Sequence, residues 1–308
     1  MCKISVNILN FNTYEKSRAC ILSVLEQNYA NLRILLVDNA SVDDSLSKLK
    51  EEFEGKVDFL KNTENFGYAG GNNIAVRKCL EVGYEYCFLL NSDTVLKGAN
   101  LISEMMNVML SEKDCAILAP VVYNVTSKGL QPVTNESGYL NLLRKSHILP
   151  PVRRRSDCLT ELSEAQGSAL MVNIPKFIAA GGFPEHYFMY SEESTLCKKI
   201  LWRNDAILCY ENEENYVLHY HDKTGHVDNW RVYLMGRNRA LEYYENRKIA
   251  PFRWFFAFHI FLLQYRMRNK QEKIYYKGCK DAKKLQKSEH YKEDCINAAK
   301  RAVEEIGN

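Results

Sequence analysis

From Ile4 to Leu90 the sequence alternates between short apolar runs and stretches with helical spacing. That alternation leaves few folds open. Ile4–Leu9, Leu32–Val37, Val57–Leu60 and Tyr86–Leu90 are aliphatic-rich runs bounded by turn residues, the pattern of buried strands. Between them, Tyr14–Glu26, a stretch reaching Phe53, and Gly71–Glu81 carry apolar residues at helical intervals. Ser41, with Asp44 three residues on, reads as a capping box for the second helix. Strands separated by helices of about 10 to 15 residues pair in parallel through right-handed crossovers. The expected class is therefore α/β, with a mostly parallel central sheet flanked by helices. Such sheets bind ligands just beyond the carboxyl ends of their strands. Asn10, Asp38, Asn39, Asn65 and Asp93 all fall at that edge.

The rest of the chain divides by pattern. Residues 124–165 are polar and irregular, with Pro150, Pro151 and the run Arg153–Arg155, and read as a long excursion over the site. Ser168–Val172 is strand-like, Gly181-Gly182 a tight turn and Glu193–Trp202 helical, and a further strand ends in LHYH at 218–221. Asn229–Arg247 is a helix rich in Arg and Tyr. At 308 residues the chain has room for one large domain plus an appendage. We place the domain at 1–245, with halves 1–123 and 124–245, and a basic helical extension at 246–308.

Charge marks that extension. From Arg231 onward there are 18 Lys and Arg against 9 Asp and Glu, while the whole chain carries only +3. A basic tail on a mildly acidic body is expected to meet an anionic surface; the alternative is a solvated helical face. The segment 251–268, PFRWFFAFHIFLLQYRMR, is interrupted by His259 and is too short in its apolar core to span a bilayer. Its flanking arginines and internal aromatics suit a helix lying in a membrane interface, with packing on the body or on a second subunit of a homodimer as the alternative. Ten cysteines without a C-x-x-C pair argue against zinc and redox motifs and for a reducing, cytoplasmic setting. The start, MCKISVNILNFN, has no basic region followed by an apolar run, so no signal peptide is expected.

Several candidate motifs carry chemistry. After the first strand stands NFNT, where a dinucleotide fold would place G-x-G-x-x-G, and no Walker A loop occurs. NFGYAGGNN at 65–73 is glycine-rich and opens a helix, so its backbone can approach a ligand closely; a plain turn is the alternative. Asp38-Asn39 at a strand end can hydrogen-bond the edge of a base. In LLNSDT at 89–94 a buried run ends on a single carboxylate. One carboxylate plus substrate phosphates is a common Mg²⁺ arrangement, although turn chemistry also explains an Asp there. His219 and His221, two apart in a strand, share one face.

Taken in order, VNILNFN, LLVDNASVDDS, NTENFGYAGGNN, LLNSDT, GSALMV, GGFPEHYFMYSEESTLCKK and VLHYH resemble the family 2 glycosyltransferases, and within them the rhamnosyltransferase-like branch. The resemblance covers roughly residues 3 to 245. It implies a GT-A-type nucleotide-sugar-binding fold, inverting sugar transfer and a divalent metal, Mg or Mn. It implies a nucleoside-diphosphate sugar donor (dTDP-rhamnose or a UDP-hexose), a saccharide or lipid-linked acceptor in surface polysaccharide synthesis, and no nucleic-acid partner. Such an enzyme would work in the cytoplasm, at the inner face of the membrane. By the same resemblance Asp38 and Asn39 meet the nucleotide base with Asn10 beside them. Gly67 and Asn72 form the donor-binding loop, Asp93 takes the metal and diphosphate position, and His219 completes the metal site. Asn91 replaces the first acid of the family's D-x-D-type motif.

One departure stands at the expected catalytic base. The family's ED-x-D-L reads Glu192-Glu193-Ser194-Thr195-Leu196 here, so Glu193 takes the base position, one methylene longer than Asp, and Thr195 replaces the second acid. At a helix N-terminus the dipole favours an ionised carboxylate, while neighbouring Glu192 repels in the opposite direction. The Q-x-x-R-W motif of processive synthases is absent, which implies one sugar per encounter. A nucleotidyltransferase and an inactive sugar-nucleotide-binding protein are the competing readings.

Overall fold

The computed structural model describes residues 2–133, 152–220, 228–246 and 271–306. The chain opens with β1 (Ile4–Asn10), α1 (Tyr14–Leu25), β2 (Leu32–Asp38), α2 (Ser45–Glu52), β3 (Asp58–Lys61), α3 (Gly67–Glu81) and β4 (Tyr86–Asn91). These strands pair in parallel in the order β3-β2-β1-β4. Their registers set Asn10 opposite Asp38, Asp38 opposite Lys61, and Leu9 opposite Asn91. All four carboxyl ends therefore meet along one edge.

Ser92 and Asp93 turn the chain out of this sheet into β5 (Thr94–Lys97), a strand of a second, four-stranded sheet. Next come α4 (Leu101–Ser111), β6 (Cys115–Pro120), β7 (Val122–Thr126), β8 (Gly129–Pro132), β9 (Arg154–Ser156), β10 (Leu159–Glu161), β11 (Ala169–Asn173) and α5 (Ile174–Ala179). A 3₁₀ turn at Glu185–Tyr187 leads to α6 (Glu192–Trp202), β12 (Ala206–Tyr210) and β13 (Tyr216–His219). The described chain closes with α7 (Asn229–Asn246), α8 (Glu272–Leu285) and α9 (Tyr291–Ile306). The large sheet runs β3-β2-β1-β4-β11-β6-β12-β10-β9, and the small one β5-β13-β7-β8. Beyond β4 the large sheet is mixed, because β11 runs antiparallel to both of its neighbours.

Burial on both faces explains the strand sequences. In β4, Tyr86, Phe88 and Leu90 enter the core under α1, α2 and α4, while Cys87 and Leu89 enter the core under α3, α5 and α6. β1 is also buried on both sides, and its Ser5 hydroxyl donates to Asn7 Oδ1 at 2.7 Å. Polar side chains inside a strand persist there because they satisfy each other.

Two expectations are corrected. Residues 124–165 are not an irregular excursion: β7–β8 and β9–β10 form antiparallel pairs in it, while 134–151 lie outside the described residues. Strands of three to five residues are too short to show a period. The capping box is also absent. Asp44 is the N-cap of α2 without a side-chain bond, and the Ser41 hydroxyl instead donates to Asp38 Oδ1 at 2.6 Å. His221 and the segment 251–268 lie outside the described residues.

The C-terminal helices pack against the body. α7 and α8 cross at reciprocal glycines: a Cβ on Gly236 would overlap the Tyr275 carbonyl, and one on Gly278 the Tyr233 carbonyl. From α9, Cys295 joins a cluster with Tyr187, and Ala299 and Ala302 one with Phe188. Lys300 pairs with Glu64 at 2.8 Å beside the glycine-rich loop.

Candidate active site

The carboxyl edge of β1 and β2 is a closed polar network. Asn10 Nδ2 donates to Asp38 Oδ1 at 2.8 Å and to the hydroxyls of Ser41 and Ser45, and its Oδ1 accepts from Ser17 at 2.6 Å and Thr13 at 3.1 Å. Asp38 also accepts the Ser41 backbone N–H at 3.0 Å. Asn10 thus braces Asp38 and the loop behind it. Asn39 ties the next layer together. Its Nδ2 donates to Asn65 Oδ1 at 2.8 Å and the Gly67 carbonyl at 3.0 Å, and its Oδ1 accepts from Asn62 and from the Phe66 N–H. The two strand ends and the start of α3 are thereby fixed as one unit.

Gly67 begins α3 with φ +68°, where a Cβ would overlap the Phe188 carbonyl. The Ala69 N–H donates to that same carbonyl at 3.1 Å, so the glycine allows the loop at 188 to touch the start of α3. Asn72 is buried one turn on, with Nδ2 donating to the Tyr68 carbonyl at 3.0 Å. Its side-chain amide is thereby turned into its own helix.

Asp93 and His219 meet. Antiparallel pairing of β5 with β13 sets Thr94 opposite His219, the Tyr220 N–H donates to the Asp93 carbonyl at 2.8 Å, and His219 Nε2 lies 3.2 Å from Asp93 Oδ1. Among the described residues no group of three or more His, Cys, Asp or Glu side chains is placed to hold a metal ion. One carboxylate and one imidazole nevertheless fit a divalent cation whose other ligands are diphosphate oxygens and water. The turn at Ser92-Asp93, rather than a strand, presents the carboxylate.

Glu193 sits on the far side of the β4 end. The Asn91 N–H donates to the Ser168 carbonyl at 3.0 Å, which anchors Gly167 beside the edge, and Tyr68 Oη donates to the Gly167 carbonyl at 2.6 Å. A Cβ on Gly167 would overlap Glu193 Oε1, so glycine is what lets the carboxylate reach this backbone. Burial raises the Glu193 pKa. Hydrogen bonds from its own N–H and that of Gly167 oppose the rise, and the Glu164 carboxylate adds to it. Burial raises Glu192 further, followed by repulsion from Glu193; one of its oxygens is buried without a hydrogen-bond partner. The backbone N–H groups at the helix terminus do oppose the rise, but desolvation outweighs them, so the carboxyl lies above its ordinary value rather than below it.

The approach to α6 is strained. Phe188, Tyr190 and Ser191 all have φ between 66° and 72°. Asn238 Nδ2, on α7, donates to the carbonyls of Tyr187, Met189 and Tyr190 at 3.1, 2.6 and 2.8 Å, and fully buried Arg237 donates to the Tyr187 carbonyl at 2.8 Å and to that of Cys295 at 2.6 Å. In the sequence both residues sit in a helix rich in Arg and Tyr. A signal was there: Arg237 falls in the apolar stripe of Tyr233, Leu234, Ala240 and Leu241, a position from which a charge cannot reach water.

A mixed sheet with its polar residues gathered at one carboxyl edge, joined to a second small sheet by the turn that carries Asp93, is the architecture of the GT-A fold. The chain covers 97% of itself and 88% of S. aureus TarS 1–349 solved with UDP-GlcNAc (TM-score 0.59, 14% identity). Against GalNAc-T7 solved with UDP, GalNAc and Mn²⁺ it covers 77% of itself and 47% of that chain (TM-score 0.59, 14% identity). Residues 5–172, more than half of the chain, match the family described as Glycosyl transferase family 2. The chain belongs to glycosyl transferase family 2 and is a glycosyltransferase. Its relatives include the low-salt glycan biosynthesis hexosyltransferase Agl10 of Haloferax volcanii, 25% identical over 77% of this chain and 74% of the relative. The Escherichia coli protein WfgD, a UDP-Glc:alpha-D-GlcNAc-diphosphoundecaprenol beta-1,3-glucosyltransferase, is 29% identical over 35% of this chain and 41% of its own length.

Proposed function

We propose that the protein transfers a hexose, with inversion, from a UDP-sugar to a saccharide or lipid-linked acceptor in surface polysaccharide synthesis. The observation that carries the reading is the convergence on the end of β4. Asp93, which meets His219, follows Asn91 by two residues, and the Asn91 N–H is bonded to the Ser168 carbonyl, next to the Gly167 backbone that Glu193 reaches. The likeness to hexosyl- and glucosyltransferases favours a UDP-hexose over dTDP-rhamnose.

In this reading the edge built by Asn10, Asp38, Asn39 and Gly67 receives the nucleoside, and Asp93 with His219 orients the diphosphate. A divalent ion held by that pair would neutralise charge gathering on the leaving diphosphate. Glu193 accepts the acceptor hydroxyl's proton as the oxygen bonds to the anomeric carbon and the bond to the diphosphate breaks. A carboxylate raised by burial is the stronger base for that step, and the Glu164 carboxylate nearby adds to its proton affinity.

Glu193→Gln tests the assignment. Donor and Mn²⁺ affinity should be retained while transfer falls by about 10²- to 10⁴-fold; wild-type turnover would remove Glu193 from the mechanism. The donor is read from a thermal-shift panel of UDP-hexoses and dTDP-rhamnose with and without Mn²⁺, since a ligand at about 100 times its Kd adds about 2.7 kcal/mol.

A further inference from the structure

α8 has two faces of opposite character. Tyr275, Gly278 and Ala282 are buried, and the glycine crossing locks that side onto α7. On the opposite side Lys273, Lys277, Lys280, Lys283 and Lys284 are all exposed, at helical spacing along about 17 Å of axis, and exposed Lys287 follows in the turn past the helix end. None of the six pairs with an acid among the described residues. The nearby carboxylate of Asp281 accepts a hydrogen bond from Tyr233 Oη at 3.1 Å. Like charges displayed in a row along a helix repel one another, and an opposing anionic surface removes that repulsion.

We infer that this lysine face docks the enzyme onto an anionic lipid bilayer. Two observations favour a bilayer over a soluble polyanion. The row is straight and held by close helix packing, so the charges reach a plane together. Tyr276, half-exposed within it, is an aromatic with a polar tip of the kind that settles at the headgroup level. No helix among the described residues is long and apolar enough to cross a membrane, so the contact is peripheral. The inference rests on the proposed lipid-linked acceptor only for its purpose; the docking itself needs no transfer.

The test uses the full chain and its variant K277Q/K280Q/K284Q, sedimented with vesicles of phosphatidylcholine alone or mixed with phosphatidylglycerol. Each lysine near an anionic surface is worth about fivefold in partitioning, so the triple variant should bind the mixed vesicles roughly a hundredfold less. Wild-type binding should weaken with salt as the Debye length shrinks to about 8 Å at physiological ionic strength. Neither protein should sediment with phosphatidylcholine alone. The variant should keep wild-type Tm and wild-type hydrolysis of a UDP-hexose. Equal sedimentation of the two proteins, or no sedimentation of the wild type, overturns the docking. So does binding to soluble heparin with no preference for vesicles. A docking enzyme that turns over no donor would instead count against the proposed function.

Discussion

Asn238→Ala separates the geometry of the base from the stability of the fold. Its amide has two hydrogens shared among three carbonyls of the 187–190 loop. Removing it costs two buried hydrogen bonds, at about 1–3 kcal/mol for each group left unsatisfied, or roughly 2–6 kcal/mol. A loss of that size approaches the whole stability of a domain, about 5–15 kcal/mol. The loop has a route that the rest of the fold lacks. Phe188, Tyr190 and Ser191 hold left-handed backbone at about 1–3 kcal/mol each, which is released once nothing fixes them. Relaxation of the loop therefore offsets most of the loss, and the variant should remain folded with a small fall in Tm. Glu193 follows the loop at the start of α6, so transfer should drop on the order of 10²-fold or more, while UDP-hexose Kd by calorimetry stays near wild type. In an E193Q background the same change should cost almost nothing further, because both act through one carboxylate. The reasoning is refuted if transfer falls only in step with the unfolded fraction, or if the two substitutions add fully.

Asp93→Asn should abolish the Mn²⁺-dependent part of donor binding and leave the fold intact, since the side chain is partly exposed at a turn; unchanged Mn²⁺ dependence would rule out the metal assignment. Gly67→Ala places a Cβ on left-handed backbone and into the Phe188 carbonyl, so both Tm and donor affinity should fall, and a wild-type Tm would disprove the tight contact. Glu192→Gln tests a pH effect. Because its folded pKa is raised, the folded state keeps a proton that the unfolded chain releases above about pH 4.3, and that stability is lost as pH rises through the folded value. The Gln variant should therefore gain Tm relative to wild type at pH 8 and lose the gain near pH 4, and a pH-independent difference would contradict it.

The N-terminal half of the sheet was legible because local signals and tertiary demand agree there. β1 and β4 are apolar runs closed by polar turns, and their ends fall within one residue of expectation. α3 begins at Gly67, not Gly71, because a run of glycines reads as loop although GYAGG is helix packed against Leu9 and Phe66. Ser41 resembled a helix cap, but a buried carboxylate three residues earlier competes for its hydroxyl more strongly than the N–H groups of α2. The rise in the Glu193 pKa was not legible in the sequence. It depends on Glu164 and Gly167, neighbours that only the packing of α6 supplies.

The crossing of α7 and α8 at Gly236 and Gly278 bears on how such an enzyme could be recombined. Residues from α9 reach Tyr187 and Phe188 and, through Lys300, the loop at Glu64. A hybrid that keeps residues 1–245 and borrows another transferase's tail would replace one half of a matched pair. The foreign helix would need a glycine opposite Gly236 and small residues opposite Phe188 before the graft could seat. The last three helices should therefore travel with the 187–190 loop and the Glu64 loop they pack against.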